Sequence, residues 1–233
     1  MLGVIVNTIT VLIGSTLGTV FKKGISEKIT NALMIGLGLC SIYIGIDGAL
    51  KGENTLVLIL SMVFGAVVGT LIDIDGLINR FGKWVETKFK RNGNKVSIAE
   101  GIITATLLFC VGSMTIVGSF NAGLRNDNEM LFTKSTLDAI SSAVLASTLG
   151  FGVILSAGCV FIIEGGLVLL AGLLGGILNE PAINEMTCAG SVIIIAMGLN
   201  LTGLSKFKVA NYVPAIFFAP LFTWLFSILP FSI

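Results

Sequence analysis

Ionisable residues inside long apolar segments are the first candidates for chemistry in this 233-residue sequence. Glu164 lies within such a segment, and Lys134 and Asp138 stand four positions apart, close enough to pair on one helix face. A charge at the centre of a membrane helix costs roughly 2.5–3.5 kcal/mol on insertion scales, so it raises a hypothesis of function. Each residue is therefore a candidate for a proton or cation path. The alternative is a residue at the membrane interface whose charged end reaches water.

Uncharged polar residues form a second group of candidates, because they can line a cavity at a smaller energetic cost. Asn7 lies in the first apolar segment, and Gly112-Ser113 precedes the glycine-rich run 118–123. Together these two stretches mark a weak point where a helix could open and offer bare carbonyl groups. We therefore select as pathway candidates Asn7, Ser113, Ser119, Asn121, Lys134, Asp138, Glu164, Asn200 and Asn211.

Two prolines near the C-terminus give a further pointer to a pathway. Pro214 and Pro220 would each remove a backbone hydrogen bond from a helix that spans residues 209–230. Broken helices at membrane depth are tolerated only where they face protein or water. The proline segment and the glycine-rich run therefore predict pathway walls, and the alternative is an ordinary kink together with an ordinary glycine packing face.

Several kinds of chemistry have no support in the sequence. Histidine, the usual proton shuttle near neutral pH and the commonest metal ligand, is absent. The four cysteines, at positions 40, 110, 159 and 188, occur singly and form no CxxC pair, so neither a zinc site nor a redox motif is indicated. No phosphate-binding loop of the form GxxxxGK[ST] occurs. We expect no enzyme and no cofactor, and the question of a metal ion stays open.

The elements that must position these residues are apolar segments of about 20 residues, which match the roughly 30 Å hydrocarbon core of a bilayer. Only 12% of the residues are charged, against about 25% in soluble domains. The pattern predicts one all-α, polytopic transmembrane helical bundle over residues 1–233. Eight spans are expected, with seven as the alternative, at residues 2–21, 29–50, 54–76, 99–124, 136–157, 160–179, 186–205 and 209–230.

The fifth and sixth spans lie in one run, residues 139–179, whose only charge is Glu164. As a single helix this run would be about 60 Å long, twice the bilayer core, at 1.5 Å per residue. A turn is therefore needed, and the small residues at 156–159 are the predicted position.

Basic residues fall mostly on one side of this arrangement. If the N-terminus lies outside, eleven of the fourteen Lys and Arg residues face the cytosol. Lys51, Arg125 and Lys134 are the three on the outer side. The distribution predicts a multi-pass protein with its N-terminus outside.

Residues 77–97 form the longest predicted cytosolic segment. Leu77, Phe81 and Trp84 recur at helical spacing, with Arg80 and Lys83 between them. This pattern is typical of a basic amphipathic helix on an anionic membrane surface. The segment is either a surface anchor or an element that binds a partner or senses lipid.

Internal similarity links the first two spans with the sixth and seventh. Residues 11–29 resemble residues 168–187, and the two pairs of spans run in opposite directions in the predicted topology. The match favours an inverted repeat, an arrangement common in secondary transporters; chance similarity between apolar helices is the alternative. Gly14 and Gly18 also match Gly65 and Gly69, a spacing that lets helix backbones approach closely.

The central part of the sequence carries motifs of greater specificity. They are Gly118-Ser119-x-Asn121-x-Gly123, Lys134-Ser135-x-Leu137-Asp138 and Ser147-x-Leu149-Gly150. Together with the opening Val6-Asn7 and the late Val209-x-Asn211-x-x-Pro214-Ala215, they resemble the YqgA/YdfK-like family, filed as domain of unknown function 554. The resemblance covers essentially the whole chain.

What the resemblance implies is an integral protein of the prokaryotic inner (plasma) membrane whose activity is unassigned and often presumed to be transport. It supplies no substrate and no catalytic residues. It supports Asn7, Asn121, Lys134, Asp138 and Asn211, which match polar positions of the family pattern, and it gives no support to Glu164.

The sequence therefore favours a transporter or channel for an unidentified small solute or ion. The alternative is a non-transporting membrane scaffold or regulatory protein that acts through residues 77–97 or through its helix-packing faces. The expected partners are the lipid bilayer and that solute, and the net charge of +1 argues against nucleic acid. Glycine-rich faces favour a homodimer, although packing within the chain would use them equally well.

Overall fold

The structure of this protein is a computed structural model, and it describes residues 1–21, 27–88, 98–110, 113–174 and 179–228. All regular secondary structure in these ranges is helical. The helices are α1 (Leu2–Phe21), α2 (Glu27–Ala49), α3 (Thr55–Ile72), α4 (Ile74–Lys88), α5 (Ile98–Cys110), α6 (Ser113–Leu124), α7 (Glu129–Leu149), α8 (Phe151–Leu174), α9 (Glu180–Leu201), a 3-10 helix (Val209–Tyr212) and α10 (Ala215–Ile228).

Several of these helices are long and apolar enough to cross a membrane. Among the described residues, α1, α3, α8, α9 and the segment Val209–Ile228 meet that condition by length and composition. Helices α5 and α6, bent by 61° relative to each other, would make a sixth span. The 23-residue α2 and the 21-residue α7 occupy the two remaining predicted positions, and α7 is less apolar because it carries Glu129, Lys134 and Asp138. The fold is a polytopic transmembrane helical bundle, as the sequence predicts.

The predicted turn at residues 156–159 is wrong, because those residues lie inside α8. The chain turns at Gly150, whose φ of 75° and ψ of −140° end α7. Glycine adopts a positive φ without steric cost, whereas a side chain there would be strained. Helix α7 also begins at Glu129 rather than at residue 136, so both spans lie closer to the N-terminus than predicted.

The chain divides into two compact units, and the first comprises residues 1–37 and 76–171. In this unit Gly14 and Gly18 allow α1 to pack closely against α7. The approach is so close that a side chain on either glycine would collide with the carbonyl oxygen of Ala139 or Ala143. Nearer the start of α1, apolar side chains from four helices form a core, namely Val4, Ala122, Leu131 and Val168. The packing fixes the register of α1 on α7.

The second unit comprises residues 38–75 and 172–233. Here Gly65 and Gly69 of α3 face the backbone of Ala215 and Asn211. This glycine pair therefore allows close helix packing, as Gly14 and Gly18 do on α1. Phe64 extends the contact, with its ring 5.5 Å from that of Phe222. The C-terminal predicted span is a 3-10 helix followed by α10, with Pro220 inside α10 and Pro214 in the turn before it.

Helix α4 follows α3 directly, at Asp73, whose φ of 56° is left-handed. Leu77, Phe81 and Trp84 are exposed on α4, and the rings of Phe81 and Trp84 stack with centroids 5.9 Å apart. The predicted amphipathic segment 77–97 is therefore helical to Lys88, and its remainder lies outside the described residues.

Candidate functional site

Helix α7 carries two charged residues on the side that packs into the first unit. Lys134 and Asp138 are one helical turn apart, and only 5% and 7% of their surfaces are exposed. Leu137 and Ile140, on other faces of the same helix, are exposed as lipid-facing residues would be. The sequence alone places this ion pair at the outer start of a span. The earlier start of α7 places it inside the helix instead.

Glu164 and Asn7 approach the same region from two other helices. Glu164 lies near the middle of α8 and Asn7 in the first half of α1, and both side chains are fully buried. The sequence gives an interfacial position as the alternative for Glu164, and the structure does not support that alternative.

One amide joins both carboxylates. Asn7 Nδ2 donates hydrogen bonds to Asp138 Oδ2 at 3.1 Å and to Glu164 Oε1 at 2.8 Å. Lys134 Nζ donates to the same Asp138 oxygen and lies 3.3 Å from Glu164 Oε1. We call these four residues (Asn7, Lys134, Asp138 and Glu164) the buried ionic cluster. All four are among the nine candidates selected from the sequence.

The charges of the buried ionic cluster do not cancel when all its groups are ionised, because two carboxylates face one ammonium group. Two of its oxygens, Glu164 Oε2 and Asn7 Oδ1, are buried and have no hydrogen-bond partner among the described residues. Burying an unpaired polar atom costs about 1–3 kcal/mol. The cluster is therefore short of one positive charge and of hydrogen-bond donors.

Cys110, at the end of α5, belongs to the surroundings of the cluster and was missed by sequence reasoning. It is buried and lies within electrostatic range of Lys134, Asp138 and Glu164. Its only signal in the sequence is a single cysteine in an apolar segment, which does not separate it from the other three cysteines.

The candidates on α6 lie in the same unit but outside the cluster. Ser119 is buried, and its hydroxyl oxygen has no partner among the described residues. Asn121 is half-buried, and its backbone carbonyl oxygen accepts the amide N–H groups of Arg125 and Asp127 at the end of the helix. The side chain of Ser113 lies outside the described residues.

The two candidates in the second unit have local partners there. Asn200 accepts hydrogen bonds from Ser205 Oγ at 2.7 Å and from the Phe207 amide at 2.8 Å, and it donates to the Phe207 carbonyl. Asn211 is buried and accepts the amide N–H of Asp75 at 2.8 Å. Both side chains therefore satisfy backbone groups at helix ends and loops.

Glu185 of the second unit is a buried carboxylate that sequence reasoning also missed. Its Oε1 accepts the amide N–H groups of Glu53 and Asn54, both at 2.7 Å, at the start of α3. The sequence placed the start of this span at residue 186, so Glu185 was counted with the preceding loop. Helix α9 in fact begins at Glu180.

A metal-binding role has little support from the available donors. Among the described residues, no three Asp, Glu, Cys or His side chains converge as ligands. In the buried ionic cluster, the ammonium group of Lys134 contacts both carboxylates, where a metal cation would have to bind.

Comparison with known proteins gives one family and two informative relatives. The family model described as "Protein of unknown function (DUF554)" matches residues 2–224. The chain is 36% identical over 224 residues to the "Uncharacterized membrane protein YdfK" of Bacillus subtilis (strain 168). It is 26% identical over 222 residues to the "Uncharacterized protein YqgA" of Escherichia coli (strain K12), and each match covers 94% of both chains. No solved structure matches the chain.

Proposed function

The chain belongs to the DUF554 family of proteins of unknown function, and from that premise we propose that it is a membrane transporter or channel for a small solute or ion. The proposal assigns no catalytic reaction to the chain. It places the protein in the prokaryotic plasma membrane with its N-terminus outside, and it includes the inverted repeat indicated by the sequence.

The observation that carries the proposal is the burial of three ionisable residues side by side in a transmembrane bundle. A buried ion pair is weak evidence for stability, because well-packed apolar residues of similar volume are often equally or more stabilising, by about 1–4 kcal/mol. Intramembrane ionisable residues typically mark ion pathways and proton relays. Stability in lipid alone therefore does not account for the burial of Lys134, Asp138 and Glu164.

A second feature of the same unit supports a pathway. Helices α5 and α6 are bent by 61° relative to each other, and Thr115 at the start of α6 donates to the Phe109 carbonyl at 2.9 Å. Non-helical backbone at membrane depth is tolerated where it is buried in protein or lines a cavity. The buried Ser119 hydroxyl lies on the α6 side of this bend.

The alternative function, a scaffold or regulator, is favoured by one observation. Helix α4 exposes Leu77, Phe81 and Trp84 together with Arg80, which is the composition of a helix that lies on an anionic membrane surface. For a scaffold or regulator, removing the three apolar side chains of α4 should abolish the cellular function and leave any flux intact.

Reconstitution into liposomes tests the proposed function. Purified protein in vesicles should raise the flux of at least one member of a panel of inorganic ions, protons and small metabolites above that of empty vesicles. The flux should fall at least about tenfold in Asp138→Asn, an effect of about 1.4 kcal/mol on a barrier. Glu180→Gln is the matched control, because Glu180 is an exposed carboxylate at the start of α9. Equal flux in wild type and Asp138→Asn would contradict the assignment of the pathway to the cluster.

A further inference from the structure

The charge of the buried ionic cluster specifies what it can bind. With Asp138, Glu164 and Lys134 all ionised, it carries one net negative charge among buried side chains. An uncompensated buried charge costs several kcal/mol, so one positive charge must accompany the three groups. An anion is excluded as the ligand by the same count.

The position of Lys134 favours a proton over a metal ion as the compensating positive charge. Its ammonium group contacts the Asp138 and Glu164 oxygens that also accept from Asn7, so a metal cation at those oxygens would meet a like charge at close range. A proton needs no such space, because it is held by a covalent O–H bond to one oxygen.

The two carboxylates differ in which oxygen is available. Asp138 Oδ2 accepts from both Lys134 and Asn7, and Asp138 retains some exposure. Glu164 is fully buried, and its Oε2 has no hydrogen-bond partner among the described residues. A proton on that oxygen would remove the net charge without disturbing any hydrogen bond received by Oε1. Asn7 Oδ1, the other unpartnered oxygen, is an acceptor in the side chain that already contacts Glu164.

We propose that Glu164 holds one exchangeable proton, with Lys134 and Asp138 as an ionised pair beside it; its use as the moved or coupled ion rests on the proposed function. On release, the Glu164 O–H bond breaks, the proton passes to water, and the electron pair stays on the carboxylate. Lys134, at 3.3 Å from Oε1, then becomes the counter-ion of Glu164. The groups that face Glu164 are Asn7 of α1, Lys134 and Asp138 of α7, and the Cys110 thiol of α5.

Infrared difference spectroscopy of the full chain in lipid vesicles tests the proton site without any transport. Between about pH 7 and alkaline pH, a range in which exposed Asp and Glu side chains stay ionised, wild type should lose the carbonyl stretching band of one protonated carboxyl group. The band should be absent in Glu164→Gln and present in Asp138→Asn and in the control Glu180→Gln. A band that persists in Glu164→Gln, or disappears only in Asp138→Asn, overturns the proposal.

A second measurement needs only the wild-type chain, so it holds even if a variant fails to fold. A lipid-soluble carbodiimide adds to protonated carboxyl groups, and mass spectrometry of the labelled peptides locates the product. Modification of Glu164 that declines at alkaline pH is expected. Modification of Asp138 with Glu164 untouched would overturn the assignment.

Flux measurements in vesicles that contain a pH-sensitive dye, compared with the infrared result, distinguish failure of the proton site from failure of the proposed transport function. Loss of flux in Glu164→Gln, with the infrared band unchanged, would support transport and overturn the proton site. The band and the label at Glu164, with no flux of any solute in wild type, would support the proton site and reject transport.

Discussion

Asn7 in α1 and Glu164 in α8 are joined by a hydrogen bond of 2.8 Å, although they stand 157 positions apart in the chain. The same Nδ2 group also donates to Asp138 of α7. One amide thus holds three helices of the first unit together at a buried point, and both carboxylates depend on it.

Replacing Asn7 with leucine should weaken both the fold and the flux. The variant Asn7→Leu keeps a similar side-chain size but removes the donor shared by two buried carboxylates. A cost of about 1–3 kcal/mol in the free energy of unfolding is expected. Denaturant titration in detergent measures it. Thr16→Val is the control, because the exposed Thr16 hydroxyl donates to the carbonyl of Leu12 in its own helix. Equal stability of the two variants would contradict this role of Asn7.

Removal of the cluster's cation should cost more. Lys134→Met leaves a buried carboxylate without its counter-ion, which is expected to lower the free energy of unfolding by about 3–5 kcal/mol. The double variant Lys134→Met with Asp138→Asn removes both charges and should recover most of that loss. Thermal melting of the single and double variants measures the coupling, with the exposed Lys206→Met as a control. A double variant less stable than Lys134→Met would show that the pair is not coupled in this way.

Sequence periodicity and charge placement predicted the helices well, because a segment that lies in lipid must be apolar along most of its length. The depth of the charges was less predictable. The predicted span starts at residue 136, after Lys134, whereas α7 begins at Glu129 and includes Lys134. The resulting shift moved the turn from Gly150 into α8 and left Glu164 close to an end rather than near the middle.

The convergence of the cluster could not be predicted from spacing. Lys134 and Asp138 are within reach of each other on any helix, but Asn7 and Glu164 join them only through the packing of α1 and α8 on α7. Asn200 and Asn211 are candidates from the sequence that do not join the cluster. Their polarity suggested pathway roles, yet their partners are backbone groups nearby in the fold.

A side chain at Gly18 should separate α1 from α7. In Gly18→Ala the new methyl group would overlap the carbonyl oxygen of Ala143, which the backbone cannot move away from without shifting α7. Overpacking of this kind costs about 1–3 kcal/mol, and the buried ionic cluster should lose its geometry with it. Gly158→Ala is the matched control, since nothing lies within 4 Å of its added methyl group. Melting temperatures in detergent should fall for Gly18→Ala only.

Asn200 should prove structural rather than part of a pathway. Asn200→Ala removes three hydrogen bonds in the turn after α9, with an expected loss of about 1–3 kcal/mol of stability. Flux per folded protein in liposomes should equal that of wild type, in contrast to Asp138→Asn. A selective loss of flux in Asn200→Ala, without a loss of stability, would return this residue to the pathway.

Cysteine labelling in intact cells can test the orientation in the membrane. In a variant without the four native cysteines, single cysteines at Lys51 and Arg125 should react with a membrane-impermeant maleimide added outside. Cysteines at Arg80 and Lys206 should react only after the membrane is opened, because basic loops remain in the cytosol. The opposite labelling pattern would reverse the topology.

The buried ionic cluster constrains the order in which its helices enter the membrane during synthesis. Helix α7 leaves the ribosome with Lys134 and Asp138 inside it, and each would cost roughly 2.5–3.5 kcal/mol to place alone in hydrocarbon. Only Gly150 separates it from α8, which brings Glu164, while α1 has already delivered Asn7. We therefore expect α7 and α8 to insert as a hairpin beside α1, so that Glu164 enters lipid together with Asn7, Lys134 and Asp138.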